Sequence, residues 1–193
     1  HPLPARAPGL ASPPARLMTA HALHIATYNM HKGLSPLNTR LRLPDIARSL
    51  KTLSADVLFL QEVQGRHSAH AQRFANWPAE SQHHYLARQL QAKATYGLNC
   101  TYEHGHHGNA ILSRIPVAQW CNRDISVNRF ECRGVLHCDL TPPGWAMPLT
   151  ALCVHLNLLA RDRKKQFLAL RDYIDHAVPT GNALILAGDF NDW

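Results

Sequence analysis

Five stretches of this chain are apolar almost without interruption. They are DVLFLQE (Asp56–Glu62), GNAILS (Gly108–Ser113), RGVLHCDL (Arg133–Leu140), PLTALCVHL (Pro148–Leu156) and ALILA (Ala183–Ala187). A strand with one face in water alternates apolar and polar residues, whereas strands like these need cover on both faces. LHIATYN (Leu23–Asn29) and TYGLNCTY (Thr95–Tyr102) read as further strands. The cover comes from helices between them. LPDIARSLKTL (Leu43–Leu53) has Pro44 suited to the first turn and Ile46, Leu50 and Leu53 on one face. HHYLARQLQAK (His83–Lys93) suits a second helix, and a third sets Phe167, Leu170 and Ile174 opposite Arg163, Lys164 and Arg171. Residues 63–82 read as a long loop, and Pro142-Pro143-Gly144 as a turn. The expected architecture is α/β, with packed sheets flanked by helices.

At 193 residues one domain is expected. Residues 1–22 are rich in Pro and Ala, without hydrophobic periodicity or the apolar core of a signal peptide. They read as a disordered leader, with Met18 as the start, before a domain over 23–193. Five cysteines without a C-x-x-C pair are expected to be free thiols in a reducing compartment, the cytoplasm. No apolar run approaches the roughly 18 residues of a membrane span. Lys and Arg outnumber Asp and Glu by 20 to 13, which favours anionic partners such as nucleic acid or phospholipid headgroups.

Several apolar runs end on a polar residue: Asn29, Glu62, His155, and Asp189 with Asn191. If those strands point the same way, the side chains gather along one rim. Taken singly each has an ordinary reading, as turn chemistry or a solvated strand end. Repetition is what makes them candidates. His104, His106 and His107 lie too close in sequence for a fixed zinc site without a loop constraint, and contact with substrate beside Asn109 is the alternative.

TYNMHKG, LQEVQG, HGNAILSR, ECRGVLH, VHLNLLARDRKKQ and AGDFN occur in the order of the endonuclease/exonuclease/phosphatase superfamily, the deoxyribonuclease I-like phosphodiesterases. The resemblance runs from Leu23 to Asn191 and is nearest to small bacterial members. It implies a four-layer α-β-β-α sandwich and Mg2+- or Mn2+-dependent cleavage of a phosphodiester, and a monomer is expected. Carried over, Glu62 would be the principal metal ligand, assisted by Asn29. Asp189 would orient the attacking water, Asn191 would donate to a phosphoryl oxygen, and His155 would sit beside the phosphate. Asn29, His31 and Asn109 would border the substrate, and Arg163 with Gln166 would tether the helix.

Two features depart from that pattern. His31 and Lys32 stand where several relatives carry an acidic residue or arginine. The family's closing His-containing segment does not follow Trp193, and His176, which precedes the GDFN block, is no substitute. The expectation is a fold incomplete at its C-terminus, with an exposed sheet edge and weak or absent activity. The alternative is a non-catalytic phosphate- or nucleic-acid-binding module of the same fold.

Overall fold

The computed structural model describes residues 22–192, so the expected leader before Ala22, and Met18 within it, lie outside the described residues. The elements are β1 (Ile25–Asn29), α1 (Leu43–Thr52), β2 (Val57–His67), α2 (Ser68–Arg73), α3 (Gln82–Leu90) and β3 (Lys93–Tyr102). They continue with β4 (Gly105–Ser113), β5 (Val117–Asp124), β6 (Gly134–Leu140), β7 (Leu149–His155), α4 (Ala160–Ala177) and β8 (Ala183–Asp189). One sheet has the order β1-β2-β4-β3 and the other β5-β6-β7-β8. In each, one outer strand runs parallel to its neighbour through a helical crossover, and the remaining pairings are antiparallel.

The continuous apolar runs are explained by where alternate residues go. Val57 and Phe59 of β2 enter a core between the sheets with Ile111, Leu136, Cys138, Ala151 and Cys153. Leu58 and Leu60 face the other way, beneath Ile46 and Leu50 of α1 and Leu86 and Leu90 of α3. On the far sheet, Val135, Leu152 and Val154 lie under Leu170 of α4. Each fully buried Leu or Phe contributes about 1.5–3 kcal/mol, so both faces of the inner strands work for stability. The result is the expected four-layer sandwich.

Three local expectations change. Residues 63–82 are not one loop, because β2 continues to His67 and α2 follows. That extension carries Gln64 and Arg66 and pairs with the polar first half of β4, so it has no apolar signature. Strand β5 had none either. Most of its residues are exposed, and β6 supplies the ladder that orders it. On α4 the buried face is Asp162, Gln166 and Leu170, while Phe167 is 43% exposed and stacks on Phe190. Of the expected stripe, Leu170 and Ile174 meet the core and Phe167 does not. β8 is the outer strand of its sheet among the described residues, and Leu184 on it is exposed.

All five cysteines are free thiols, with Cys138 and Cys153 buried. Burial pushes both thiols up to about 12, so they behave as core residues.

His83 gives the fold a pH dependence. It is buried under α3, its ring stacked on Tyr96 at 4.4 Å. Burial, then the neighbouring His84 and His106, lower its pKa from 6.5 to about 4. Between those values the unfolded chain binds the proton first. Stability from neutral His83 is therefore full above 6.5 and lost as pH falls towards 4. His83→Phe keeps the stack and removes the titration. Urea unfolding at pH 7 and 4.5 is expected to show the wild-type chain losing on the order of 1–2 kcal/mol more than the variant.

A candidate active site where the two sheets share a rim

Both parallel pairs end at one rim. Asn29 is in register with Gln61, and His155 with Asp189. The edge strands β1 and β8 meet there across the gap between the sheets. The Asn29 amide nitrogen donates to Glu62 Oε1 at 3.1 Å and to Asp189 Oδ2 at 2.9 Å. One carboxamide thus clasps carboxylates 127 residues apart in the chain. Its Oδ1 accepts the His31 backbone N–H at 2.9 Å. The nitrogen side of Asn29 faces the acids, and its oxygen keeps one lone pair beyond the bond from His31.

Glu62 reaches this position by a β-bulge. Leu60 pairs with Ala110 and Val63 with Gly108, so Gln61 and Glu62 together face Asn109. Glu62 itself has φ +52°, in the left-handed region that glycine normally fills. His31, Lys32 and Asn191 are also at positive φ, so four of the seven such non-glycine residues described lie around this rim. Strain of this kind costs about 1–3 kcal/mol per residue and concentrates at functional sites. Gly188, at φ +151°, brings β8 so close to β7 that a Cβ would lie 1.9 Å from the Val154 carbonyl oxygen. Only glycine lets the strand carry Asp189 to the rim.

Asp189 is held ionised. Burial raises its pKa, but the hydrogen bond from Asn29, the Asn191 N–H, and the neighbouring His155 and Arg133 more than offset this. His155 lies 3.7 Å from Asp189 Oδ2. Burial and the charge of Arg133 lower it to about 4, against the opposing pull of Glu62 and Asp189. At neutral pH the imidazole is uncharged, so the hydrogen bonds and the charge of Arg133 keep Asp189 ionised.

Asn191 is buried, and its Nδ2 donates to the Leu156 carbonyl at 2.7 Å, which leaves one amide hydrogen for another acceptor. His31 is exposed on the turn beside His155. Asn109 is 1% exposed and donates to the carbonyls of Gly134 and Cys153, pinning the sheets together beneath the rim.

Arg133 was missed. Its side chain is largely buried, lies 3.3 Å from Glu131, and carries the positive charge felt at His107, His155 and Asp189. Its Nε has no hydrogen-bond partner among the described residues. It lies within ECRGVLH, and the Arg-Gly step into a buried strand was the available signal. The tether was legible. Gln166 accepts from the Asn157 N–H and donates to Asn157 Oδ1, both at 2.9 Å, fixing the turn after His155.

The rim encloses a cleft of about 290 Å³ bordered by Tyr28, Asn29, Gln61, Asp189 and Asn191. A larger one, about 530 Å³, opens further along β2 among Arg66, His67, Trp77, Tyr102 and His104. The three clustered histidines diverge: His106 Nδ1 meets Tyr96 Oη at 2.9 Å, His107 faces the charges of the rim, and His104 borders the larger cleft.

Among the described residues no three His, Cys, Asp or Glu side chains converge as a metal site. The donor set suits a cation that retains its water. Mg2+ takes one or two carboxylates and completes its shell with water and phosphate. Glu62 is half-buried, with one oxygen accepting from Asn29 and the other without a protein partner among the described residues. Glu62 therefore fits Mg2+ or Mn2+.

Residues 26–193 match a family model described as Endonuclease/Exonuclease/phosphatase family. The chain is 41% identical over 169 residues to the uncharacterized protein YbhP of Escherichia coli, covering 88% of this chain and 66% of that one. It therefore spans just under two thirds of the length of the curated relatives it matches. An endonuclease/exonuclease/phosphatase from Beutenbergia cavernae is similar in structure, with TM-score 0.68 and 25% identity over 89% of this chain and 48% of that one. A humanized D. rerio TDP2 shares the fold, with TM-score 0.61 and 24% identity over 89% and 63% of the two chains. No described helix is long and apolar enough to cross a membrane.

Proposed function

The chain belongs to the endonuclease/exonuclease/phosphatase family, and from that premise we propose that it is a divalent-metal-dependent phosphodiester hydrolase. The observation that carries the reading is the clasp of Asn29 on Glu62 and Asp189, which brings both sheets to one reaction centre. The substrate is a nucleic acid or a phospholipid headgroup, both anionic, as the charge of +7 favours. One chain carries all of these groups, which suits a monomer, and the free thiols suit the cytoplasm.

In this reading Glu62 holds Mg2+ or Mn2+, with Asn29 fixing the carboxylate. The cation supplies Lewis-acid neutralisation of the phosphate and of the leaving oxygen. Asp189 accepts a hydrogen bond from the attacking water and orients it in line. His155, neutral, donates to a non-bridging oxygen, and so does the remaining amide hydrogen of Asn191. Arg133 and Lys32 set a positive potential that draws the phosphate in. Burial strengthens each of these interactions relative to water.

Hydrolysis of bis(4-nitrophenyl) phosphate tests the reaction class without presuming the natural substrate. Turnover is expected with Mg2+ or Mn2+ and not in excess EDTA, with recovery on adding the cation back. Activity that persists in EDTA would overturn the reading.

A further inference from the structure

Beside the active rim the chain turns its apolar side chains outward and its polar ones inward. Phe130, three residues before Arg133, is 81% exposed. Leu158 and Leu159, three and four residues after His155, are 61% and 60% exposed. Because Val135 pairs with Val154, the start of β6 and the end of β7 lie side by side, so these two loops form one surface.

The loops are held rigidly from beneath. Asn128 accepts the Phe130 and Glu131 N–H groups and donates to buried Asp162 at 3.1 Å. Glu131 Oε1 accepts the Leu158 N–H at 3.5 Å. Leu159 occupies the N-cap of α4 and offers no side-chain capping bond, at a position where Ser or Asp would stabilise the helix. Leu159 therefore occupies a place where local stability favours another residue, and Phe130 and Leu158 are exposed beside it.

The surrounding charge identifies the partner. The nearby acids are engaged: Glu131 with Arg133, Asp162 with Asn128 and Asn157, and Asp192 with Arg163. Outside them stand Arg129, whose guanidinium lies 4.9 Å from the Phe130 ring centroid, then Arg161, and exposed Lys164 and Lys165. Among the described residues Arg129, Lys164 and Lys165 form no ion pair. Apolar tips ringed by long cationic side chains match a bilayer interface, where the tips enter the acyl boundary and the cations remain among anionic headgroups.

We propose that Phe130, Leu158 and Leu159, with Arg129, Lys164 and Lys165, form a docking surface for an anionic lipid bilayer. It sets the rim of Glu62 and Asp189 against headgroup phosphates. This rests on the hydrolase reading for the chemistry at the rim, and selects the lipid over nucleic acid as the substrate class. Docking itself needs no turnover.

Vesicle flotation tests it, using phosphatidylcholine alone against a two-to-one mixture of phosphatidylcholine and phosphatidylglycerol. The chain is expected to float with the mixed vesicles, to stay down with the neutral ones, and to be released by high salt. Leu159→Asp and Phe130→Ser should each lower the bound fraction at least about tenfold, since each removes several buried carbons from the bilayer. Leu159→Asp supplies the missing cap, so its melting temperature should match or exceed that of the wild-type chain, which separates lost docking from lost folding. Failure to bind, equal binding to neutral vesicles, or undiminished binding by both variants would overturn the proposal. So would a lipid-free dimer, seen by sedimentation velocity, that either variant dissociates. Hydrolysis of bis(4-nitrophenyl) phosphate, run in parallel, should be unchanged in Leu159→Asp. A wild-type chain that floats without hydrolysing this ester would sink the hydrolase reading and leave docking standing.

Discussion

Glu62→Gln should lower Mg2+-dependent phosphodiester turnover at least about 100-fold, since even groups supporting a ligand cost 10–100-fold when lost. The amide keeps the volume and can still accept from Asn29, but it carries no charge for the cation. Glu62→Gly is the informative companion. Residue 62 sits at φ +52° in a bulge, so glycine relieves strain there even as it removes the carboxylate. Set against the extra freedom of glycine in the unfolded chain, the net gain should be about 1 kcal/mol, or roughly 2–4 °C in melting temperature. A variant both more stable and inactive would mark the left-handed Glu62 as retained for function. Thermal melting beside the esterase assay decides it, and a Glu62→Gly chain that melts well below wild type would refute the strain argument.

Asp189→Asn is the second large effect, a loss of about 10²–10⁴-fold with little change in fold. The Asp189 oxygens accept from two directions, Asn29 Nδ2 at 2.9 Å and the Asn191 N–H at 3.0 Å. A carboxamide has one oxygen, so its NH2 must oppose one of those donors. The variant therefore loses the group that orients water and also loosens the clasp on Glu62.

The same geometry predicts the acid limb of the wild-type profile. His155 is neutral until pH falls to about 4, and the hydrogen bonds to Asp189 hold its carboxyl below the usual carboxylate value. As pH falls through about 4 His155 gains its proton, so activity should fall there and stay level from pH 5 to 7. An inflection near 6.5, the ordinary histidine value, would show His155 titrating as an exposed imidazole and would sink its neutral role.

The two effects depend on one another through Asn29, a residue with no acid–base chemistry of its own. Its amide keeps two carboxylates facing each other across the sheets, an arrangement that like charges would otherwise oppose. The nearby positive charge of Arg133 reduces that opposition at Asp189. Removal of Arg133 would leave the acids less balanced and the phosphate less attracted.

The amino-acid sequence by itself determined the layers. Runs such as VLFL and LTALCV have no polar face to give to water, so both faces had to be covered, and helices of one-sided apolarity were the available cover. It also placed His155 and Asp189 at strand ends and marked Glu62 where an apolar run stops, although β2 continues past Glu62 through a bulge. Other elements left no such trace. β5 is ordered by the ladder of β6 and not by its own exposed residues. The far half of β2 carries polar side chains that pair with equally polar ones on β4.

Only the tertiary structure could decide the site's internal arrangement. Asn29 and Asp189 are 160 residues apart and on different sheets, so their hydrogen bond depends on how the sheets stack. Asn109 and Arg133 look alike from sequence, a polar residue next to glycine beside a buried strand. Packing sent Asn109 beneath the rim to hold two backbone carbonyls, and set Arg133 where its charge reaches His155 and Asp189. Periodicity records which face of an element meets the core. It carries no record of which side chains from separate sheets meet at the end of that core, and the candidate chemistry lies there.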